Sequence, residues 1–416
     1  MKIALLGYGK EGQAAEKYFK SHEKNVEIDI LKDFDPVKIR HKDYSSYDII
    51  FRSPSVPPLG LPNESSVTKY FFDHCPCPII GVTATKGKGT TCSFIKALLD
   101  AEKADTHLVG NIGTPAIEAL DDLKPTSVVI YEMSSFQLWD LEKSPHIAIV
   151  GQLEPDHLNV HKDYEDYLGA KSNICKHQTI DDYCIFYQEN PDSVKIANKS
   201  KAHKIPYPFD IPTKIADAIT IPGEHNKNNF LAALAAVASY KNISPDEYLK
   251  DHESNILAGL KNFKGLPHRL EYLRTINDVK YYDGNFSTNP SSTRVAVNSF
   301  PHDKLVIIIG GRDKTNNKDL PEIYEILKSK NIAKIILMGE SGHDIAKKYQ
   351  DDRFIIVESL KEAILTAKKA AEAIAPAIVL MSPSAASFDM FQNVYDRGAQ
   401  FQDLIKNLHD DHWCYL

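Results

Sequence analysis

Short apolar runs recur along the chain, separated by stretches with helical spacing. Ile3-Ala4-Leu5-Leu6 opens the series, and runs at 26–31 and 48–51 follow. A second group lies at 79–82, 127–131, 147–150 and 183–186, and a third at 305–309, 334–338, 354–357 and 378–381. A short apolar run bounded by Gly, Pro or polar residues suits a strand covered on both faces. Helices are predicted over 164–177 and 226–240, the second carrying Leu231-Ala232-Ala233-Leu234-Ala235-Ala236. Strand alternating with helix in this way predicts an α/β fold with parallel sheets.

Punctuation divides the pattern. Pro and Gly cluster over 54–62, Cys75-Pro76-Cys77-Pro78 precedes the run at 79, and Phe263-Lys264-Gly265-Leu266-Pro267 makes a later break. Three domains are expected: a small Rossmann-like N-terminal domain over 1–77, a central P-loop ATPase-type parallel-sheet domain over 78–265, and a C-terminal Rossmann-like domain over 266–416. A chain of 416 residues is too long for one core. The net charge of -7 leaves no basic footprint, which argues against nucleic acid or an anionic membrane as partner and for small phosphorylated ligands. The first apolar run is too short for a signal peptide, and no stretch approaches a membrane span. Six scattered cysteines read as reduced structural thiols, so a cytoplasmic monomer is expected.

Candidate chemistry gathers where predicted strands end. Thr83-Ala84-Thr85-Lys86-Gly87-Lys88-Gly89-Thr90-Thr91 follows one strand and opens a helix. Glycines let backbone N–H groups approach phosphate, the helix N-terminus adds partial positive charge, and Lys88 is placed to neutralise the β/γ-phosphates of ATP. Gly89 stands where Ser or Thr usually holds Mg2+, leaving Thr90 or Thr91 to supply the hydroxyl. A plain Gly/Lys turn is the alternative. Glu132 and His157 end the neighbouring strands, where a carboxylate and an imidazole could hold a second Mg2+. Singly, each is equally an ordinary hydrogen-bonded polar residue. Gly7-Tyr8-Gly9-Lys10-Glu11-Gly12 has dinucleotide spacing, and Asp33 sits where a nicotinamide enzyme keeps its acidic residue. Lys314, after Gly310-Gly311-Arg312-Asp313, is either a partner for an amino-acid carboxylate or a solvated loop charge.

In order along the chain stand the phosphate loop, Gly110-Asn111-Ile112-Gly113-Thr114-Pro115, Glu132-Met133-Ser134-Ser135-Phe136-Gln137-Leu138, Asp156-His157-Leu158 and Ala170-Lys171. Gly223-Glu224-His225-Asn226-Lys227-Asn228-Asn229 and Gly265-Leu266-Pro267-His268-Arg269 follow. The series resembles the Mur ligase family over nearly the whole chain. Ser382-Pro383-Ser384-Ala385-Ala386-Ser387-Phe388-Asp389 and Arg397-Gly398 look like its D-glutamate-adding branch.

The resemblance implies an ATP- and Mg2+-dependent ligase of peptidoglycan-precursor synthesis. ATP would phosphorylate the carboxylate of a UDP-sugar peptide, and an amino acid's amine would displace phosphate from the acyl phosphate. Thr85, Lys86, Gly87, Lys88, Gly89 and Thr90, with Asn226, Asn229 and Arg269, would face the nucleotide. Glu132, His157, Thr90 and Lys171, the last as a carbamate, would hold Mg2+. Gly9, Lys10, Glu11, Asp33, Asn111 and Ser134 would contact the UDP substrate, and Thr288, Lys314, Ser387 and Phe388 the amino acid. Three separate ligand regions predict closure about 263–267. Ser53-Pro54-Ser55 departs from the family's Ser-Pro-Gly turn. Asp283-Gly284-Asn285-Phe286-Ser287-Thr288-Asn289 has Phe286 where the D-glutamate branch has lysine, and Asp283 is left to take the acidic role. A sibling ligase for another amino acid and a catalytically weak nucleotide-binding homologue are the alternatives; a dehydrogenase is a further one.

Overall fold

The apolar runs become strands, and those at the centre of each sheet are covered on both faces. In this computed structural model the described residues are 1–32, 43–61, 63–263, 265–313 and 318–408. The first sheet, ordered β2-β1-β3-β4, is parallel and comprises β1 (Lys2–Leu6), β2 (Glu27–Leu31), β3 (Ile49–Arg52) and β4 (Glu64–Ser66). The second is a six-stranded parallel sheet of order β10-β9-β8-β5-β7-β6. Its members are β5 (Ile79–Thr83), β6 (Thr106–Gly110), β7 (Val128–Glu132), β8 (Ile147–Val150), β9 (Tyr183–Tyr187) and β10 (His203–Tyr207). Every residue of β5, β7 and β8 is buried, as central strands of a doubly covered sheet require.

The third sheet has the order β11-β12-β16-β13-β14-β15. It is built from β11 (Glu271–Ile276), β12 (Val279–Asp283), β13 (Leu305–Gly310), β14 (Ile332–Met338), β15 (Phe354–Ile356) and β16 (Ala377–Met381). Only its edge strand β11 runs antiparallel, to β12. The joining residues Asn277 and Asp278 have φ of 49° and 58°, the left-handed pair that a two-residue hairpin needs. This hairpin, β4, β6 and β10 are strands that the apolar pattern does not announce. β10 carries Pro206, tolerated because β10 is an edge strand.

The α/β class with parallel sheets therefore holds, with one antiparallel edge. The chain forms two compact units, one of Met1–Ala218 with Lys227–Phe263, the other of Ile219–Asn226 with the described residues beyond 264. No helix among the described residues is long and apolar enough to cross a membrane.

Within the first unit, the first two sheets share one apolar core. The Phe71 ring meets Tyr131 edge-on at 5.6 Å, and Thr68 Oγ1 lies 3.1 Å from the Tyr131 hydroxyl. A buried cation joins the sheets as well. Arg52, at the end of β3, is 1% exposed. Its Nη2 donates to Asp140 Oδ1 at 2.6 Å, its Nη1 to the Val56 carbonyl at 2.7 Å, and its Nε lies 3.3 Å from Glu64. Removing one member of such a group strands the others without a counter-charge. Arg52→Met is therefore expected to destabilise the first unit by about 3–5 kcal/mol, read as a lower midpoint in urea unfolding.

Candidate active site

β5 delivers the phosphate loop at the C-terminal edge of the second sheet, where open α/β sheets take ligands. Gly87 adopts φ 86°, and a Cβ there would lie 2.5 Å from Asn229 Oδ1, so both the backbone and the neighbour demand glycine. The helix Lys88–Ala101 that follows has no side-chain cap, and its N-terminal end carries the partial positive charge that suits an anion. Lys88 Nζ folds over the loop and donates to the carbonyls of Ala84 at 2.9 Å and Thr85 at 3.1 Å. Thr85 is anchored from below: its Oγ1 lies 2.8 Å from the Tyr167 hydroxyl and accepts from the Glu154 N–H at 3.0 Å. Thr91 Oγ1 donates to Asn229 at 3.4 Å, Lys86 pairs with Glu154 at 2.6 Å, and Thr90 is buried.

Lys171 reaches the same loop from the helix Tyr164–Lys176. Asp163 caps this helix by accepting from the Asp166 N–H, and Tyr167 stands one turn before the lysine on the same face. The amine is 2% exposed, donates to Thr83 Oγ1 at 3.1 Å and to the Ala84 carbonyl at 2.9 Å, and lies 4.9 Å from the Tyr167 ring centre. Burial holds it well below the ordinary lysine value; the Lys88 charge adds to that, and Asp156 and Glu132 oppose it. Glu132, at the end of β7, is buried. His157 is different: it is exposed, has φ 54°, packs 4.9 Å from the Phe136 ring and lies 3.6 Å from Asp156. Asp156 was named in the sequence only as part of the Asp156-His157-Leu158 motif, with no role of its own, and Tyr167 was not singled out, though it has the i, i+4 spacing to Lys171.

Two residues expected on the substrate side are joined by a third. Ser134 and Gln137 form a reciprocal cap on the turn Ser135–Leu138, and Gln137 Nε2 donates to Glu11 Oε1 at 2.7 Å. Glu11 lies in the helix Lys10–His22, behind the first glycine loop. Gly7 has φ 83° and a Cβ at Gly12 would lie 2.8 Å from the Gly7 carbonyl, whereas a Cβ at Gly9 would meet nothing within 4 Å. Lys10 is exposed there. Asn111 donates its N–H to the Glu132 carbonyl at 3.1 Å, which ties the end of β6 to β7. Asp33 lies outside the described residues.

In the second unit, Arg397 is fully buried and organises two loops. Its Nε donates to Asn285 Oδ1 at 2.6 Å, and Nη1 and Nη2 reach the carbonyls of Ala385, Ala386 and Asn285 at 3.2 Å. Arg312 bridges to Ala386 by backbone hydrogen bonds of 2.8 and 3.2 Å. A cavity of about 210 Å³ opens between these loops, lined by Thr288, Asn289, Arg312, Asp319 and Ser384 among others. Ser387 is buried beside it in sequence, and Phe388 is 66% exposed. Lys314 lies outside the described residues. Phe286 makes edge-on contacts with His268 at 5.5 Å and Tyr395 at 5.4 Å, with the Arg269 guanidinium 5.8 Å from its ring centre. Asp283 is wholly buried and holds His268 at 2.7 Å and Gln402 at 2.9 Å, so its carboxylate is spent inside the unit. Asn226 donates to the Pro222 carbonyl at 2.6 Å at the start of the helix Glu224–Tyr240.

A sheet edge carrying an uncapped phosphate loop with two lysines defines a nucleotide-using enzyme. Residues 82–216 match the Mur ligase middle domain and 268–385 the Mur ligase, glutamate ligase domain. The chain belongs to the Mur ligase family and is an ATP-dependent amide-bond ligase. It is 31% identical over 402 residues to a UDP-N-acetylmuramoylalanine--D-glutamate ligase of Clostridium botulinum (strain Loch Maree / Type A3), covering 87% of this chain and 83% of the relative. A ligase of the same name from Acetivibrio thermocellus is 32% identical over 405 residues, with the same coverage of 87% and 83%. Among solved structures, the UDP-N-acetylmuramate-alanine ligase of Thermotoga maritima has a TM-score of 0.59 at 15% identity, covering 98% of this chain and 99% of that one. The MurF ligase of Thermotoga maritima in complex with ADP also gives 0.59, at 14% identity and 98% and 95% coverage. At such identities these structures speak for the fold.

Glu11 gives the site a pH signature. Burial pushes its carboxyl up to about 7, against the opposing pull of Gln137 and Arg52, and its Oε2 is shielded without a hydrogen-bond partner. A raised carboxyl favours folding while protonated. That contribution is full below its ordinary value of 4.5 and is lost as pH rises through about 7. Glu11→Gln should therefore gain on the wild type by on the order of 1–3 kcal/mol between about pH 5 and about pH 8, measured by denaturant unfolding at each pH.

Proposed function

We propose that this ligase joins D-glutamate to the L-alanyl carboxylate of UDP-N-acetylmuramoyl-L-alanine in the cytoplasm, using ATP and Mg2+. The observation that carries the phosphoryl-transfer part is the pair of amines on the Ala84 carbonyl at the uncapped helix N-terminus. The acceptor is supported by likeness to ligases of that name over 87% of the chain. In this reading 1–77 takes the UDP end, 78–265 the ATP and 266–416 the amino acid.

The γ-phosphoryl group passes from ATP to the substrate carboxylate, giving an acyl phosphate and ADP. Lys88 swings from its own loop carbonyls onto the phosphate, and the N-terminal end of the helix that follows the loop takes part of the remaining charge. The amine of the amino acid then attacks the acyl carbon, loses a proton and expels phosphate. The cavity beside Thr288 and Arg312 is the seat for that amino acid; Arg312 offers a guanidinium to one of its carboxylates, and Ser387, Phe388 and Lys314 are the further residues proposed for its contacts. Glu11, raised to about 7, is about half protonated at neutral pH and so puts less negative charge against the UDP diphosphate than an ordinary carboxylate would.

Lys171 has the environment that carbamate formation needs. A neutral amine attacks carbon dioxide, an N–C bond forms and one proton leaves, turning a base into a carboxylate-like anion. Burial lowers the proton affinity of the amine and so favours the reactive neutral form, and the Lys88 charge beside it would stabilise the product. Glu132, Thr90 and the carbamate make an oxygen-rich donor set that fits Mg2+, with His157 as the one nitrogen donor. Bound there, Mg2+ would neutralise charge on the phosphoryl oxygens.

Phosphate release from ATP with UDP-N-acetylmuramoyl-L-alanine, Mg2+ and bicarbonate is expected with D-glutamate and not with other amino acids. Release with a different amino acid alone would keep the ligase and overturn the acceptor. Such an outcome would be traced first to Phe286, whose ring packs edge-on between His268 and Tyr395. Lys88→Ala should lose about 100-fold or more in turnover with ATP binding retained. With 13C-bicarbonate, a carbamate NMR signal is expected in the wild type and absent in Lys171→Ala; its absence from both would remove the carbamate from the mechanism.

A further inference from the structure

Away from the ligase site, the connection between the helix Val67–His74 and β5 holds two thiols in contact. Cys75 and Cys77 have their Sγ atoms 3.7 Å apart, and the Cys75 thiol lies 3.4 Å from the Cys77 carbonyl oxygen, to which it donates. The backbone explains the approach. Cys75 is extended, with φ -68° and ψ 120°, so residues i and i+2 point to one side, and Pro76 between them fixes its own φ. Both ends of the segment are anchored: the Cys75 N–H donates to the Phe71 carbonyl at 2.8 Å, and the Val129 N–H to the Pro78 carbonyl at 3.0 Å. The sulfurs are therefore held together. Both residues are partly exposed, whereas Cys92, Cys175 and Cys184 are buried.

We propose that Cys75-Pro76-Cys77 is a thiol modification site, a dithiol that closes to an internal disulfide by exchange with a small-molecule disulfide. The Cys75 thiolate attacks one sulfur of the reagent, and the first reagent thiolate leaves and takes a proton. The Cys77 thiolate then attacks the Cys75 sulfur of the mixed disulfide and expels the second. Two protein thiols are oxidised and one disulfide is reduced to two thiols. Closure brings the sulfurs from 3.7 Å to about 2.05 Å, a shift that side-chain rotation can accommodate. The order of attack follows from the hydrogen bonding of Cys77, which holds the Cys75 thiol below its ordinary value, while the same contact raises Cys77. In a reducing compartment the pair rests as thiols and closes under oxidative load. Because it lies at the start of β5, a strand length (about 16 Å) from the phosphate loop, closure stiffens the link between the first two sheets and leaves the loop untouched.

Incubating the full chain with glutathione disulfide tests this. Intact mass should fall by two hydrogens with no glutathione retained, peptide mapping should place the bond at Cys75–Cys77, and dithiothreitol should reverse it. Cys77→Ser should stop at a glutathione adduct on Cys75, and Cys75→Ser should form no internal bond. Phenylarsine oxide, which needs two adjacent thiols, should bind the wild type in one equivalent and neither variant. A wild type that keeps glutathione on Cys75, stays unmodified, or forms its bond elsewhere would overturn the proposal.

Discussion

Two lysine side chains donate to one carbonyl, that of Ala84, and much of the first unit is arranged around that meeting. A buried amine beside a second cation is tolerable only if it gives up its proton or gains an anion. Tyr167 and Thr83 provide the dry, polar seat for Lys171, and Glu132 and Asp156 supply opposing charge. The neighbouring helix offers uncapped N–H groups, so the resting loop is short of negative charge and suited to a triphosphate. The parallel sheet matters because it sets the ends of β5, β7 and β8 side by side, which brings Ala84, Glu132 and the 151–157 segment into one neighbourhood.

Buried cations do different work elsewhere. Arg397 spends its guanidinium on carbonyls and on Asn285, fixing the 283–289 and 384–387 loops around the cavity of the second unit. Burial lowers it to about 10, still far above physiological pH, so its charge is permanent. Arg52 holds the first two sheets of the first unit through Asp140, Glu64 and the Val56 carbonyl. Lys171 alone of the three is a lysine, the side chain whose proton burial can remove and whose neutral form is a nucleophile.

The Glu11–Gln137 bond joins a helix of the first sheet to a turn of the second, and the Cys75–Cys77 contact lies in the chain that links the two sheets. One responds to protons and the other to oxidants, and both depend on side chains that each look ordinary in isolation. In the sequence Glu11 is one residue of a glycine loop expected to contact the UDP substrate; only the fold sets Gln137 and Arg52 beside it. The cysteine pair reads as two structural thiols until the extended backbone sets both sulfurs on one side.

Strands 79–82, 127–131, 147–150 and 305–309 were legible in the sequence because burial on both faces demands an unbroken apolar run. The phosphate loop was legible because its glycines and lysine must be contiguous to wrap a phosphate. β6, β10 and β11 were not, since edge strands keep polar residues and, in β10, a proline, and β12 was not because a lysine and an aspartate interrupt its apolar run. Asp283 shows the same limit for chemistry. Its position suggested an acidic ligand contact, but packing turned it inward onto His268 and Gln402. By itself the sequence determined the order of strands, helices and contiguous motifs, which depend on local spacing. Tertiary structure alone decided which distant groups share a dry environment, and so which amine binds its proton less tightly, which carboxyl binds it more tightly and which thiols touch. Those properties come from desolvation and short-range charge, and neither exists until the chain has folded.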